Sequence, residues 1–231
     1  YTAVKIEEAI AFYKGFYGAS NATFSAVGDF DETAIKAFIK TELADWKSPK
    51  AYTRVPEKFH DNQGEVKSIE TPDKANAFFL AYQPLKISDS DPNYAALELS
   101  NYMLGGGSGL SSRLMNRIRQ KEGLSYGVGS QFAASPLDEN GAFLGYAIYA
   151  PENIAKLEAA FKEEIEKVLK EGFTEKEIEE AKKSWIQSKQ VTRSQDNALV
   201  GTLNSNLYLG RNLKWSEELE NKVKNLTPGQ I

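Results

Sequence analysis

Apolar residues recur at helical spacing over residues 4–16, where Ile6, Ile10 and Tyr13 with Tyr17 share a face, and the predicted helix ends near Gly18. Residues 22–27 (ATFSAV) predict a strand, closed by Gly28-Asp29. Asp31 stands where a helix N-cap is wanted, ahead of a helix through about Leu43 whose apolar face is Ile35, Phe38, Ile39 and Leu43. Residues 47–64 hold Pro49 and Pro56, show little periodicity and predict a surface loop wrapping between two units.

The pattern then changes period. Residues 65–71 alternate imperfectly around Val66 and Ile69, and Thr71-Pro72-Asp73-Lys74 is a turn signal. Residues 76–83 (NAFFLAYQ) form the strongest apolar strand of this part, so the two segments predict a hairpin-like pair. Asp91-Pro92 predicts an N-cap with proline at the first helical position, opening a helix over residues 93–104.

The most informative stretch is residues 104–128, LGGGSGLSSRLMNRIRQKEGLSYGV. A glycine cluster (Gly105, Gly106, Gly107, Gly109) precedes an amphipathic pattern with Leu110, Leu114 and Ile118 on one face. Gly123 stands where a helix C-terminus wants a left-handed residue. Strand-like alternation follows from Ser125 to about Ala134. Arg119 is thereby expected in the last helical turn and Tyr126 on the outgoing strand, either side of a tight turn.

A turn at residues 136–141, ending in Asn140-Gly141, predicts that residues 142–149 return as an antiparallel neighbour. A long helix is expected over residues 151–170, capped by Gly172. Thr174-Glu175-Lys176-Glu177 is a capping box opening a helix to about Thr192. Asp196 caps a helix over 198–209 that ends at Gly210, and Ser216 opens another to Leu226. Thr227-Pro228 reads as the start of one more. The mixed charges along 158–183 lie opposite the apolar faces and read as solvated surface.

This order pairs strands as hairpins, without β-α-β alternation. It predicts an α+β fold: a mostly antiparallel sheet with helices packed on one face. Residues 1–231 are expected to form one domain, with a leading helix-strand-helix segment over 1–60 and the sheet and helices over 65–231. The chain opens mid-pattern without an initiator Met, which reads as a segment of a longer polypeptide.

Composition narrows the chemistry. Of 231 residues, 41% are hydrophobic and 26% charged, as expected of a globular protein with a sizeable core. The net charge of −4, with both signs interspersed, gives no footprint for nucleic acid. No apolar run reaches the roughly 18 residues of a membrane span. Cysteine is absent, which removes disulfides, thiol nucleophiles and cysteine metal sites. The single histidine, His60, excludes two-histidine zinc motifs and leaves Ser-His-Asp catalysis dependent on that residue alone. His60 sits in the proline-rich loop beside Asp61, where an exposed loop histidine is the plainer reading. No pair of carboxylates is singled out for glycoside chemistry.

The glycine cluster matches neither G-x-x-x-x-G-K-[ST] nor G-x-G-x-x-G, and it follows a helix where a phosphate loop follows a strand. It reads as an interhelical loop, or as a hinge or close backbone approach to a ligand. Arg119 and Tyr126 remain, as a helix-end arginine and a core tyrosine, or as a functional pair.

The run 104–128 resembles the insulinase/pitrilysin family of zinc metallopeptidases, which includes the mitochondrial processing peptidases. The family's R-x-x-x-G-L-x-Y is similar to Arg119-Gln-Lys-Glu-Gly123-Leu124-Ser125-Tyr126, and its L-G-G-G with S-S-R-L to Leu104-Gly105-Gly106-Gly107 and Ser111-Ser112-Arg113-Leu114. Residues 11–31 (AFYKGFYGASNATFSAVGDFD) also resemble its Y-G-x-x-N-x-T and its strand ending V-G-D. In that family one half carries the inverted zinc motif H-x-x-E-H with a further glutamate ligand, and the other supplies the arginine and tyrosine. A chain with one histidine resembles the second half.

The resemblance implies that Arg119 and Tyr126 bind substrate and complete a partner's site. The tyrosine hydroxyl would be an oxyanion donor worth roughly 3–4 kcal/mol, and the arginine a planar fork for backbone carbonyls or a carboxylate. No metal or cofactor is expected in this chain, and Zn is expected in the partner half. That half is expected in the same chain or in a partner subunit, with a peptide or unfolded polypeptide as substrate. An inactive structural or assembly homologue and a peptide-binding module are the alternatives. The compartment leans periplasmic.

Overall fold

The structure, a computed structural model, describes residues 3–107 and 112–231. Helices form where the local pattern asks for them. α1 (Ile6–Phe16) and α2 (Glu32–Leu43) occupy the first two predicted positions, and the Asp31 carboxylate accepts the Ala34 N–H at 3.0 Å. That bond satisfies one of the four N–H groups a helix start leaves open.

Strands β1 (Ala77–Leu85), β2 (Ser125–Ala134) and β3 (Gly141–Tyr149) form an antiparallel sheet in the order β1-β3-β2. The hairpin predicted around Asn140-Gly141 joins β2 to β3, with Ala134 opposite Gly141 and Ser125 opposite Tyr149. Pro84 lies in β1, an edge strand, where its missing N–H is tolerated.

One face of the sheet carries the core. Phe79, Val128, Phe143, Ala147 and Tyr149 meet Leu157, Ala160 and Phe161 of α4 (Ile154–Glu171). Gly145 makes room for this, because a Cβ there would lie 2.3 Å from the Phe161 ring. A second cluster joins α3 (Tyr94–Asn101), α5 (Glu175–Arg193) and α7 (Leu213–Asn225) through Leu99, Ile178, Trp185 and Val223. The opposite face of β1 presents Phe78, Leu80 and Tyr82 to solvent, with Phe78 stacked on Tyr146 at 6.4 Å. The α+β architecture, with helices on one face of an antiparallel sheet, is the one the sequence predicts.

The chain divides into two compact units. One comprises Tyr1–Val55 and Thr192–Leu213 and holds α1, α2 and α6 (Asp196–Leu209). The other comprises Pro56–Val191 and Lys214–Ile231 and holds the sheet and both core clusters.

Several expected elements differ. Residues 22–27 and 65–71 form no strand, and Val66 keeps 96% of its surface exposed. Alternation only makes a segment able to pair; a strand also needs a partner ladder, and none is present among the described residues. The hairpin expected between residues 65–71 and 76–83 is therefore absent.

The helix expected over 93–104 is α-helical only to Asn101, then widens into a π-turn at Tyr102–Gly106. Asp91 does not cap it. Its carboxylate accepts the Asn93 N–H at 2.8 Å in a local turn, and Asn93 takes the cap position. Asp196 is the first residue of α6 and Gln195 its cap, while α7 starts at Leu213 ahead of Ser216.

Other local signals hold. Gly123, Gly172 and Gly210 all take positive φ at helix ends. Thr174 and Glu177 form the predicted capping box, with the Glu177 N–H on Thr174 Oγ1 at 3.2 Å and the Thr174 N–H on Glu177 Oε2 at 2.8 Å. Gly109, Leu110 and Ser111 of the motif stretch lie outside the described residues.

Candidate functional site

The site grows from the π-helix Met115–Lys121, whose next residue, Glu122, is its C-cap. Leu114 and Ile118 are fully buried and fix its inner face, so Arg119, one position on, is exposed. Gly123 turns the chain with φ +64°. Its N–H donates to Arg119 O at 3.2 Å, and the Leu124 N–H reaches back to Ile118 O at 2.9 Å. These bonds close the helix and drop Leu124 and Ser125 into the interior.

Tyr126 follows as the extra residue of a β-bulge. Ser125 pairs with Tyr149 and Gly127 with Ile148, leaving Tyr126 without a partner on β3. The Ser125 hydroxyl brackets this bulge, donating to Gly127 O at 3.0 Å and accepting the Gly127 N–H at 3.1 Å. Bulges re-aim one side chain out of the strand pattern, and here Tyr126 stays 63% exposed between the buried Ser125 and the half-buried Gly127. Among the described residues neither Arg119 nor Tyr126 makes a side-chain hydrogen bond or ion pair. The structure thus places a cation and a phenol, both free, on rigid elements at either end of one turn.

Gly105 of the glycine cluster serves packing. A Cβ on Gly105 would lie 2.6 Å from Ser130 N, and one on Gly129 would lie 3.0 Å from Gly105 O. The π-turn therefore crosses β2 backbone to backbone, and Ser130 Oγ donates to Asn101 Oδ1 at 2.7 Å beside it. The close approach read from the glycines is to the chain's own strand.

What sequence reasoning missed is the anchor behind Arg119. Arg113 lies at the start of the same helix with its side chain 13% exposed. Its Nε and Nη2 donate to the two carboxylate oxygens of Glu177 at 2.8 and 2.9 Å, and Nη2 also donates to Gly172 O at 3.1 Å. The guanidinium lies over the Phe173 ring at 4.9 Å. This fork holds the Glu177 carboxyl at about 2, against an ordinary 4.5 and against the opposing push of partial burial; Thr174 adds to the lowering. No local signal pairs residues 64 positions apart. A polar cavity of about 320 Å³ lies beside this anchor, lined by Arg113, Arg117, Lys121 and Glu164 among others, and neither Arg119 nor Tyr126 lines it.

His60 is exposed, and among the described residues no group of three or more His, Cys, Asp or Glu side chains can hold a metal ion.

Comparisons with known proteins bear on the family and the fold. A family profile described as the peptidase M16 inactive domain matches residues 3–184. The non-peptidase homolog YmxG of Helicobacter pylori is 28% identical over 174 residues, covering 75% of this chain and 39% of that protein. The crystal structure of a peptidase M16 inactive domain from Pseudomonas fluorescens superposes with a TM-score of 0.81 at 27% identity, over 99% of this chain and 53% of that one. The first half of the periplasmic protease PqqL from Escherichia coli shares the fold, with a TM-score of 0.67 at 18% identity, over 98% of this chain and 50% of that one. The chain therefore spans about two fifths of that curated relative and about half of those solved chains.

Proposed function

The chain belongs to the peptidase M16 family through its inactive domain, and on that premise we propose that Arg119 and Tyr126 complete the peptide-hydrolysing site of a zinc-bearing partner half. The inactive domain is the non-catalytic half of its family, and zinc belongs to the partner half. Arg119 grips the substrate backbone or a carboxylate with its planar fork. Tyr126 donates its O–H to the oxyanion that develops on the scissile carbonyl. The observation that supports this is the pair's state: exposed, unpaired among the described residues, and held by the buried Ile118, Leu124 and Ser125 on either side of the Gly123 turn.

The substrate of this reading is a peptide or unfolded polypeptide. β2 is an edge strand, which supports alignment of an extended peptide along it beside Tyr126. The zinc-bearing half lies in the same chain or in a partner subunit. All 231 residues serve as one processing-peptidase-like half, residues 1–60 leading into it. The compartment of this reading is the periplasm, supported by the fold shared with PqqL. Among the described residues no helix is long and apolar enough to cross a membrane.

The test is reconstitution with a fluorogenic peptide. Hydrolysis that requires both the zinc-bearing half and this chain supports the reading, and hydrolysis indifferent to Tyr126 removes it. A second reading, an assembly subunit without catalytic role, is favoured by the name of the non-peptidase homolog YmxG. It predicts a stable complex with no peptide turnover. A peptide-binding module predicts peptide capture by this chain with no effect on any zinc-bearing half.

A further inference from the structure

One face of the sheet packs on α4. Strand alternation puts every second residue on the other face, and the register lines these residues up in rows: Phe78 beside Ile148, Leu80 beside Tyr146, Tyr82 beside Leu144. Phe78, Leu80 and Tyr82 each keep more than half their surface in water, and their β3 neighbours are only partly buried. β2 adds Gly127, Gly129 and Gln131 to the same rows, so no charged side chain stands in them. A sheet face turned to water is ordinarily polar, alternating with the apolar core face. Here β1 and β3 are apolar on both faces, and a contiguous exposed apolar patch is the mark of a binding surface.

The patch begins at Tyr126. At the bulge Tyr126 and Gly127 together oppose Ile148, so Tyr126 stands at the end of the first row. Gly127 carries no side chain to separate them: a Cβ there would meet only Ile148 Cδ1, at 3.6 Å. A chain leaving Tyr126 crosses bare backbone onto the apolar rows. Successive rows lie two residues apart along the strands, about 6.5–7 Å, which is also the spacing of alternate side chains in an extended polypeptide.

We infer that this face is a second binding surface for the polypeptide substrate, taking an apolar segment distant from the scissile bond with its alternate side chains set against the rows. The inference rests on the reading that Tyr126 acts on a peptide, and it names the kind of peptide: a long, unfolded one with an alternating apolar segment. A face without charge fits such a segment and offers nothing to an acidic or basic one. A second copy of this chain is the poorer occupant. A stable interface buries roughly 800 Å² on each partner, and a few half-exposed side chains of at most about 250 Å² each, with partly covered neighbours, fall short of it.

The experiment uses the assembled protein containing both halves and two fluorogenic peptides with the same cleaved sequence, one short and one extended by alternating valine and serine. Phe78→Thr combined with Leu80→Thr removes the apolar bulk and keeps residues suited to a strand, and the unfolding midpoint checks the fold. The expected result is a rise of about tenfold or more in KM for the extended peptide. Its kcat stays unchanged, as when binding common to ground and transition state is lost. The short peptide is cleaved as before, and Leu80→Met behaves as wild type. Equal cleavage of the extended peptide by wild type and double variant overturns the inference and leaves the Tyr126 reading standing. An equal loss on both peptides does the same, since it assigns the two residues to the fold. So does a wild-type dimer, seen by sedimentation, that the double variant loses. No cleavage of either peptide by the wild-type assembly overturns both readings.

Discussion

Arg113 and Glu177, 64 residues apart, meet in a two-point fork, Nε on Oε1 at 2.8 Å and Nη2 on Oε2 at 2.9 Å. Glu177 is also the capping-box residue of α5, so one carboxylate ties the helix carrying Arg119 to the start of another helix. The tie is mostly enclosed, because Arg113 packs on Phe173 and bonds Gly172 O.

Arg113→Lys keeps the charge and loses the fork. Breaking a fully buried pair costs about 3–5 kcal/mol. Since Glu177 keeps 35% side-chain exposure, the expected loss is smaller, about 2 kcal/mol. The shift of the denaturant midpoint at neutral pH measures it, and an unchanged midpoint contradicts the anchoring role.

Acid should release the same tie. The Glu177 carboxyl titrates near 4.5 when unfolded and at about 2 when folded, chiefly because Arg113 bonds its charged form. A depressed folded value means that the contribution is complete above the unfolded value and is lost as pH falls from about 4.5 to about 2. Denaturation midpoints across this window are expected to drop more steeply for the wild type than for Glu177→Gln. Parallel profiles count against this assignment.

Gly123→Ala tests the turn between Arg119 and Tyr126. A Cβ there has nothing within 4 Å, so the cost comes from φ +64° alone. A left-handed alanine costs roughly 1–2 kcal/mol. Thermal unfolding should show a loss of that size, and activity of the assembled enzyme should fall further as the turn relaxes.

Tyr126→Phe removes one hydroxyl that makes no hydrogen bond among the described residues. Stability is expected to stay within about 0.5 kcal/mol, as for most surface changes. In the assembled enzyme kcat should fall about 10²-fold or more, the cost of one oxyanion donor, with a smaller change in KM. A near wild-type kcat rules the role out.

The sequence by itself determined what depends on neighbours a few residues away. The Asp31 cap, the Thr174–Glu177 capping box and the left-handed Gly123, Gly172 and Gly210 are local bonds and local angles, and all stand as read. The β2–β3 hairpin was legible for the same reason. So were Arg119 at a helix end and Tyr126 on a strand, though the bulge that frees Tyr126 was not.

Tertiary structure alone decided which groups find partners across the chain. It gave Glu177 to Arg113 and crossed Gly105 over Gly129, and it left residues 22–27 and 65–71 without a ladder. Alternation and spacing record what a segment is able to pair with. Whether the partner is within reach is a property of the folded chain, since a backbone donor or a charge is satisfied by distance in space and not by distance in sequence.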